Sequence, residues 1–171
     1  YTTKNIPNDQ AEIIVCANNF HGRTTTVVSF STEQWYRDGF GPFTPGFKII
    51  PFGDAAALEA AITPNTCAFL FEPIQCEAGI LIPPTGFIKN AAEICRRNNV
   101  MFIADEIQTG IGRTGKFWAV EHYGVVPDMI CFAKGVTSGT VPMGGVIVRK
   151  GIYEAFMKGP EHAVELFHGY T

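Results

Sequence analysis

Lys134 closes the apolar run MICFA over residues 129–133, and Asp105 closes another, VMFIA, over 100–104. Runs of that length read as strands, and VMFIA reads as one buried on both faces, as in a parallel sheet. Each strand therefore brings a charged group to the end of a low-dielectric element. Burial disfavours an ammonium and frees the amine to attack a carbonyl. A buried carboxylate is costly unless a cation or proton donor receives it, and a protonated ring nitrogen is such a partner. Together the two types describe a site that traps a carbonyl on lysine and holds an aromatic nitrogen with aspartate. Glu106, next to Asp105, reads as structural, bonded to backbone near the site.

Two residues so far apart in sequence need elements that present them side by side. Four further segments read as strands: EIIVC (12–16), FKIIPF (47–52), CAFLF (67–71) and GGVIV (144–148). A helix starts after Asp54, a good N-cap, through DAAALEAAI. A second covers 87–98, where Phe87, Ala91, Ile94 and Cys95 fall at near-helical spacing and Arg96 and Arg97 suit the last turn. A short helix is expected near 151–157, and the Gly/Pro/aromatic stretch 31–46 reads as a long irregular loop. Strands separated by helices predict an α/β fold with a mostly parallel sheet flanked by helices. In such sheets ligands gather at the carboxyl ends of the strands. NNFHGR, EPIQCEAG, DEIQTG and KGVTSG all fall at such ends.

Composition narrows the function classes. The 171 residues are 46% hydrophobic and 17% charged, which suits one globular domain. A net charge of -3 argues against nucleic acid or a membrane surface as the main partner, and no apolar run is long enough to span a bilayer. The five cysteines form no CxxC pair, which points to a reducing compartment. The cytoplasm is expected, with the mitochondrial matrix as the other option. The four histidines form no ligand cluster, so no metal site is expected. GVTSG lacks the spacing of a P-loop. The chain opens on Tyr1 and stops at FHGYT, which reads as an interior piece of a longer protein.

FEPIQCEAG, FIADEIQTGIGRTG and PDMICFAKG, in that order, resemble the class III aminotransferases, pyridoxal 5'-phosphate (PLP) enzymes of fold type I. The similarity runs from NNFHGRT to the final GYT. It implies that Lys134 is the lysine that binds the cofactor as a Schiff base and moves the proton between cofactor and substrate carbon. By the same resemblance Asp105 pairs with the pyridinium nitrogen, Gln108 bonds the phenolic oxygen, and Phe20 stacks on the ring. Thr171 resembles the threonine that reaches the cofactor phosphate of a neighbouring subunit. Arg23 resembles an arginine that holds a substrate carboxylate. Glu77 resembles a glutamate that pairs with an arginine outside this sequence. Arg113 is expected to be structural or at an interface, and His21 and His122 to be packing or loop residues.

Residues 11–116 look most like ornithine aminotransferases, and 117–171 more like ω-amino acid–pyruvate aminotransferases. The expected function is transfer of an amino group, the ornithine δ-amine favoured, to an oxo acid. The alternatives are a β-alanine-like ω-amino acid with pyruvate, or a catalytically incomplete piece that keeps the fold. The resemblance further implies that residues 1–171 are part of the PLP-binding large domain, without the small domain and phosphate-binding turn. It implies a homodimer, small amino and oxo acids as partners, and an isolated piece that is inactive. Cys76 stands where the family usually has glycine; a positive φ there would strain a cysteine, and close approach to the ligand would make the thiol crowd it.

Overall fold

A computed structural model describes residues 4–156 of the chain. The apolar runs form a six-stranded sheet: β1 (Glu12–Cys16), β2 (Phe47–Ile50), β3 (Thr66–Phe71), β4 (Met101–Asp105), β5 (Met129–Phe132) and β6 (Gly145–Val148). Their order across the sheet is β2-β1-β3-β4-β5-β6. Every pairing is parallel except β5 with β6, so the expected mostly parallel sheet carries one antiparallel edge strand. The carboxyl ends of β1, β3, β4 and β5 consequently lie on one edge. Register places Asp105 opposite Cys131.

The helices follow from local chemistry. The Asp54 carboxylate accepts the Ala57 N–H at 2.8 Å and starts α3 (Ala55–Ala61). The helix α4 (Phe87–Arg97) buries Phe87, Ile88, Ala91, Ile94 and Cys95, with Arg96 and Arg97 in its last turn. Burying each large apolar side chain of this stripe contributes about 1.5–3 kcal/mol. The stretch 31–46 is not wholly irregular: Gln34–Arg37 forms the four-residue helix α2, preceded by α1 (Thr25–Ser29). The last described helix is α5 (Lys150–Phe156).

The main core lies between one sheet face and helices α3 and α4. Ile14, Phe69, Phe71, Phe102 and Ala104 supply the sheet side, and Leu58 and the α4 stripe the helix side. The Phe71 and Phe102 rings stack 4.4 Å apart. The opposite face differs from expectation. Met101 and Ile103 of β4 are only half-buried, packed against a small cluster of Ile6, Cys67 and Ala68. The segment around Ile6 covers part of that face, and Phe30, which follows α1, packs its ring 4.4 Å from Phe47 of β2 on it. Cys16 and Cys95 are buried as small hydrophobes, and burial pushes both thiols up to about 12. No helix among the described residues is long and apolar enough to cross a membrane.

Candidate active site

A cavity of about 110 Å³ opens at the carboxyl edge of the sheet, lined by residues that follow four different strands. Phe20 and His21 come from the segment after β1, Glu72 and Ile74 from that after β3, Asp105 from the end of β4 and Gln108 from the turn after it, and Lys134 from the segment after β5. Parallel pairing is what unites them: each strand ends on the same edge, so residues remote in sequence meet there.

Asp105, the last residue of β4, is 6% exposed. Its Oδ1 accepts the Ile107 N–H at 3.0 Å, and its Oδ2 lies 2.6 Å from His21 Nδ1. An ionised carboxylate only accepts, so Nδ1 carries the shared proton. Glu106 is fully buried and faces away from this cavity's chemistry. Its carboxylate accepts the N–H groups of Ala119 and Val120, at 3.0 and 2.8 Å, and the Thr109 hydroxyl. That is the structural, backbone-bonded role expected for it. It ties the turn after β4 to the 3₁₀ turn Ala119–Tyr123.

Lys134 lines the same cavity but is exposed, which corrects the expectation of a lysine buried at a strand end. β5 stops at Phe132, and its four residues are only half-buried because β6, beside it, is itself open. Lys134 instead begins a 3₁₀ turn with φ +47, in the left-handed region that L-residues occupy at a cost of about 1–3 kcal/mol.

The remaining predicted residues are placed as follows. Gln108 Nε2 donates to Glu77 Oε1 at 2.9 Å, joining the loops after β4 and β3. Arg23 does not line the cavity; its exposed guanidinium stacks over the rings of Tyr36 and Phe20, 4.7 and 5.4 Å from their centroids. The Phe20 ring also meets Tyr36 edge-on at 5.6 Å. Thr171 lies outside the described residues. His122 is exposed and bonds Thr114, and Arg113 is exposed. Cys76 has no positive φ, and its half-buried thiol is not among the cavity walls. The positive φ angles of that loop fall at Gly79 and Ile80 instead, so no left-handed strain arises at the cysteine.

Sequence reading missed two members of the cavity. His21 is no ordinary packing residue: its side chain is 3% exposed and held on Asp105. Glu72 is buried and accepts only the Phe20 N–H, at 3.2 Å, among the hydrogen bonds of the described residues. Burial pushes its carboxyl up to about 7, against the opposing pull of His21. The signal was present, since Glu72 closes an apolar run just as Asp105 does, and His21 sits inside a strand-end cluster.

The donor set, a carboxylate with a free lone pair facing a lysine amine across a small cavity, suits a flat cationic nitrogen heterocycle carrying a carbonyl. Among the described residues no group of three or more His, Cys, Asp or Glu is placed to hold a metal ion.

The family model described as Aminotransferase class-III matches residues 1–171. An ornithine aminotransferase of Brevibacillus brevis is 58% identical over 159 residues, 93% of this chain and 40% of the relative. The chain thus spans about 40% of the length of that curated relative. A crystal structure of the Toxoplasma gondii ornithine aminotransferase, described as having partial occupancy of PLP at its active site, superposes with a TM-score of 0.89 at 45% identity, covering 93% of this chain and 38% of that one. An (S)-enantioselective omega-transaminase from Thermomicrobium roseum superposes with a TM-score of 0.85 at 33% identity, covering 95% of this chain and 40% of that one.

Proposed function

Because this chain belongs to the class-III aminotransferases, we propose that it forms part of the large, PLP-binding domain of an enzyme moving the ornithine δ-amino group to an oxo acid. The observation that carries the reading is that Asp105, at the end of β4, and Lys134, just after the parallel β5, line one cavity. The residues fit the ring of the cofactor: a buried carboxylate stands ready for a pyridinium nitrogen, and a lysine amine for its aldehyde. PLP, when bound, supplies an electron sink for the bond broken at the substrate carbon.

In this assignment Asp105 would hold the ring nitrogen through a charge-assisted hydrogen bond and so favour its protonated form. Lys134 Nζ would hold the cofactor through its aldehyde and would carry a proton to and from the substrate carbon. Gln108 uses one amide N–H on Glu77 and has a second for the ring oxygen. Phe20 covers one face of the ring. Arg23, stacked over Phe20 and Tyr36, would fork onto a substrate carboxylate, and Glu77 would border the substrate. Thr171 would serve a second subunit's phosphate in a homodimer. The likeness to the omega-transaminase supports a second reading, a β-alanine-like ω-amino donor with pyruvate.

The full-length protein mixed with PLP is expected to show an absorbance band that vanishes in Lys134→Ala. Bleaching of that band by ornithine but not β-alanine supports the first reading, and the reverse pattern supports the second. Absence of any lysine-dependent band overturns both.

A further inference from the structure

Asp105 is gripped at both oxygens, and one grip has no place in the scheme above. The Ile107 N–H holds Oδ1 from within the same turn, whereas His21 reaches Oδ2 from a segment 84 residues earlier. His21 is enclosed: its side chain is 3% exposed, and its ring packs 5.7 Å from that of Phe30. Its Nε2 is buried with no hydrogen-bond partner among the described residues. A buried ring nitrogen without a partner costs free energy, and a histidine chosen only for packing would be replaced at no loss by an apolar residue. Among the described residues, the one polar link the imidazole makes is to Asp105, at 2.6 Å, the short distance of a charge-assisted bond.

The segment that carries His21 is itself pinned. Asn19, buried beside it, donates from Nδ2 to the carbonyls of Cys16 and Phe30, at 2.7 and 3.0 Å, and the Phe20 N–H is held by Glu72. The imidazole is therefore delivered by a rigid turn, and Nδ1 is fixed in space before any ligand arrives.

We propose that His21 is a positioning residue for the amino-transfer site: its Nδ1–H, with the Ile107 N–H, locks the plane of the Asp105 carboxylate so that the remaining lone pair meets the cofactor ring nitrogen. This rests on the PLP reading above. Two donors, one on each oxygen, remove the freedom of the carboxylate to rotate about its terminal torsion, which is otherwise broad. They also keep the anion satisfied in the absence of the ring, so the site is preorganised rather than assembled on binding. Partners of this kind, one contact removed from the reacting group, typically change affinity by about 10–100-fold at metal sites, and a comparable scale is expected here.

The test uses full-length protein with three substitutions. Asn places its amide nitrogen near the position of Nδ1 and keeps the donor; Gln carries it further out, near Nε2; Phe fills the volume without a donor. H21N is expected to hold PLP within about threefold of the parent, with its lysine-dependent band at the parental wavelength, while H21Q and H21F lose about tenfold or more in affinity and displace the band. Equal behaviour of H21N and H21Q, or a parental affinity and band in H21F, overturns the inference. Should the parent show no lysine-dependent band, the PLP reading falls, and His21 is judged in the cofactor-free protein. There ¹⁵N-histidine NMR is expected to show a strongly downfield Nδ1–H proton that disappears in D105N. Absence of that proton overturns the His21–Asp105 lock by itself.

Discussion

Asp105 and Lys134 border one cavity from the ends of adjacent strands, yet they are held in opposite ways. Asp105 ends a strand paired on both sides by parallel neighbours; it is buried and bonded at both oxygens. Lys134 follows a strand whose outer neighbour is the exposed edge strand β6, and it is exposed at a positive φ. The contrast teaches that the site has a rigid pole and an open pole. In the proposed reading, the rigid pole would set where a ring nitrogen sits. In that reading the open pole would leave an amine free to change partners.

The sharpest way to break this comparison is to strike each pole and measure stability. Glu106→Ala strips the acceptor from two buried N–H groups and a hydroxyl behind the rigid pole. It is expected to cost about 3–5 kcal/mol in urea unfolding of the cofactor-free protein. Lys134→Ala at the open pole is expected to stay within about 0.5 kcal/mol. Similar losses at the two positions would remove the distinction.

Glu72 offers a pH test of the rigid side. Its carboxyl is pushed from an ordinary value near 4.5 up to about 7 by burial. The folded state therefore binds the proton more tightly than the unfolded one. The associated stability is complete below about pH 4.5 and is lost as the pH rises through 7. Glu72→Gln keeps an acceptor for the Phe20 N–H and removes the titration. It is expected to flatten the decline and to gain on the order of 3 kcal/mol at pH 8 relative to the parent. Parallel pH profiles for the two proteins would contradict this.

Smaller effects come from the backbone. Lys134→Gly relieves the left-handed strain at φ +47 and is expected to raise the unfolding midpoint, by about 0.5–1 kcal/mol, while abolishing the lysine-dependent band. Cys76→Gly, at a position without positive φ, is expected to lose a few tenths to about 1 kcal/mol, because glycine only adds freedom to the unfolded chain there. A gain at Cys76 matching that at Lys134 would mean that strain is shared along the whole rim.

Much of the fold was legible beforehand. The six strands lie within a residue or two of the apolar runs, and α3 starts at the cap residue Asp54. Lys134, Asp105, Gln108 and Phe20 were legible as neighbours because parallel topology sends every strand end to one edge. Less visible was the burial of each strand. A run such as MICFA has the same pattern whether helices cover it or an edge strand leaves it open, so the exposure of Lys134 could not be read from it. The helices α1 and α2 escaped because they are too short to show a periodicity.

The sequence by itself determined which segments are strands, which polar clusters terminate them, and which residue types could bind an amine-exchanging cofactor. These are local properties, written in apolar periodicity and caps. Only the tertiary structure decided that His21 meets Asp105 across 84 residues, that Glu72 is buried enough to hold its proton near neutrality, and that Glu106 supports a distant turn. Each depends on strand order and register, where a shift of one residue would turn a side chain to the other face.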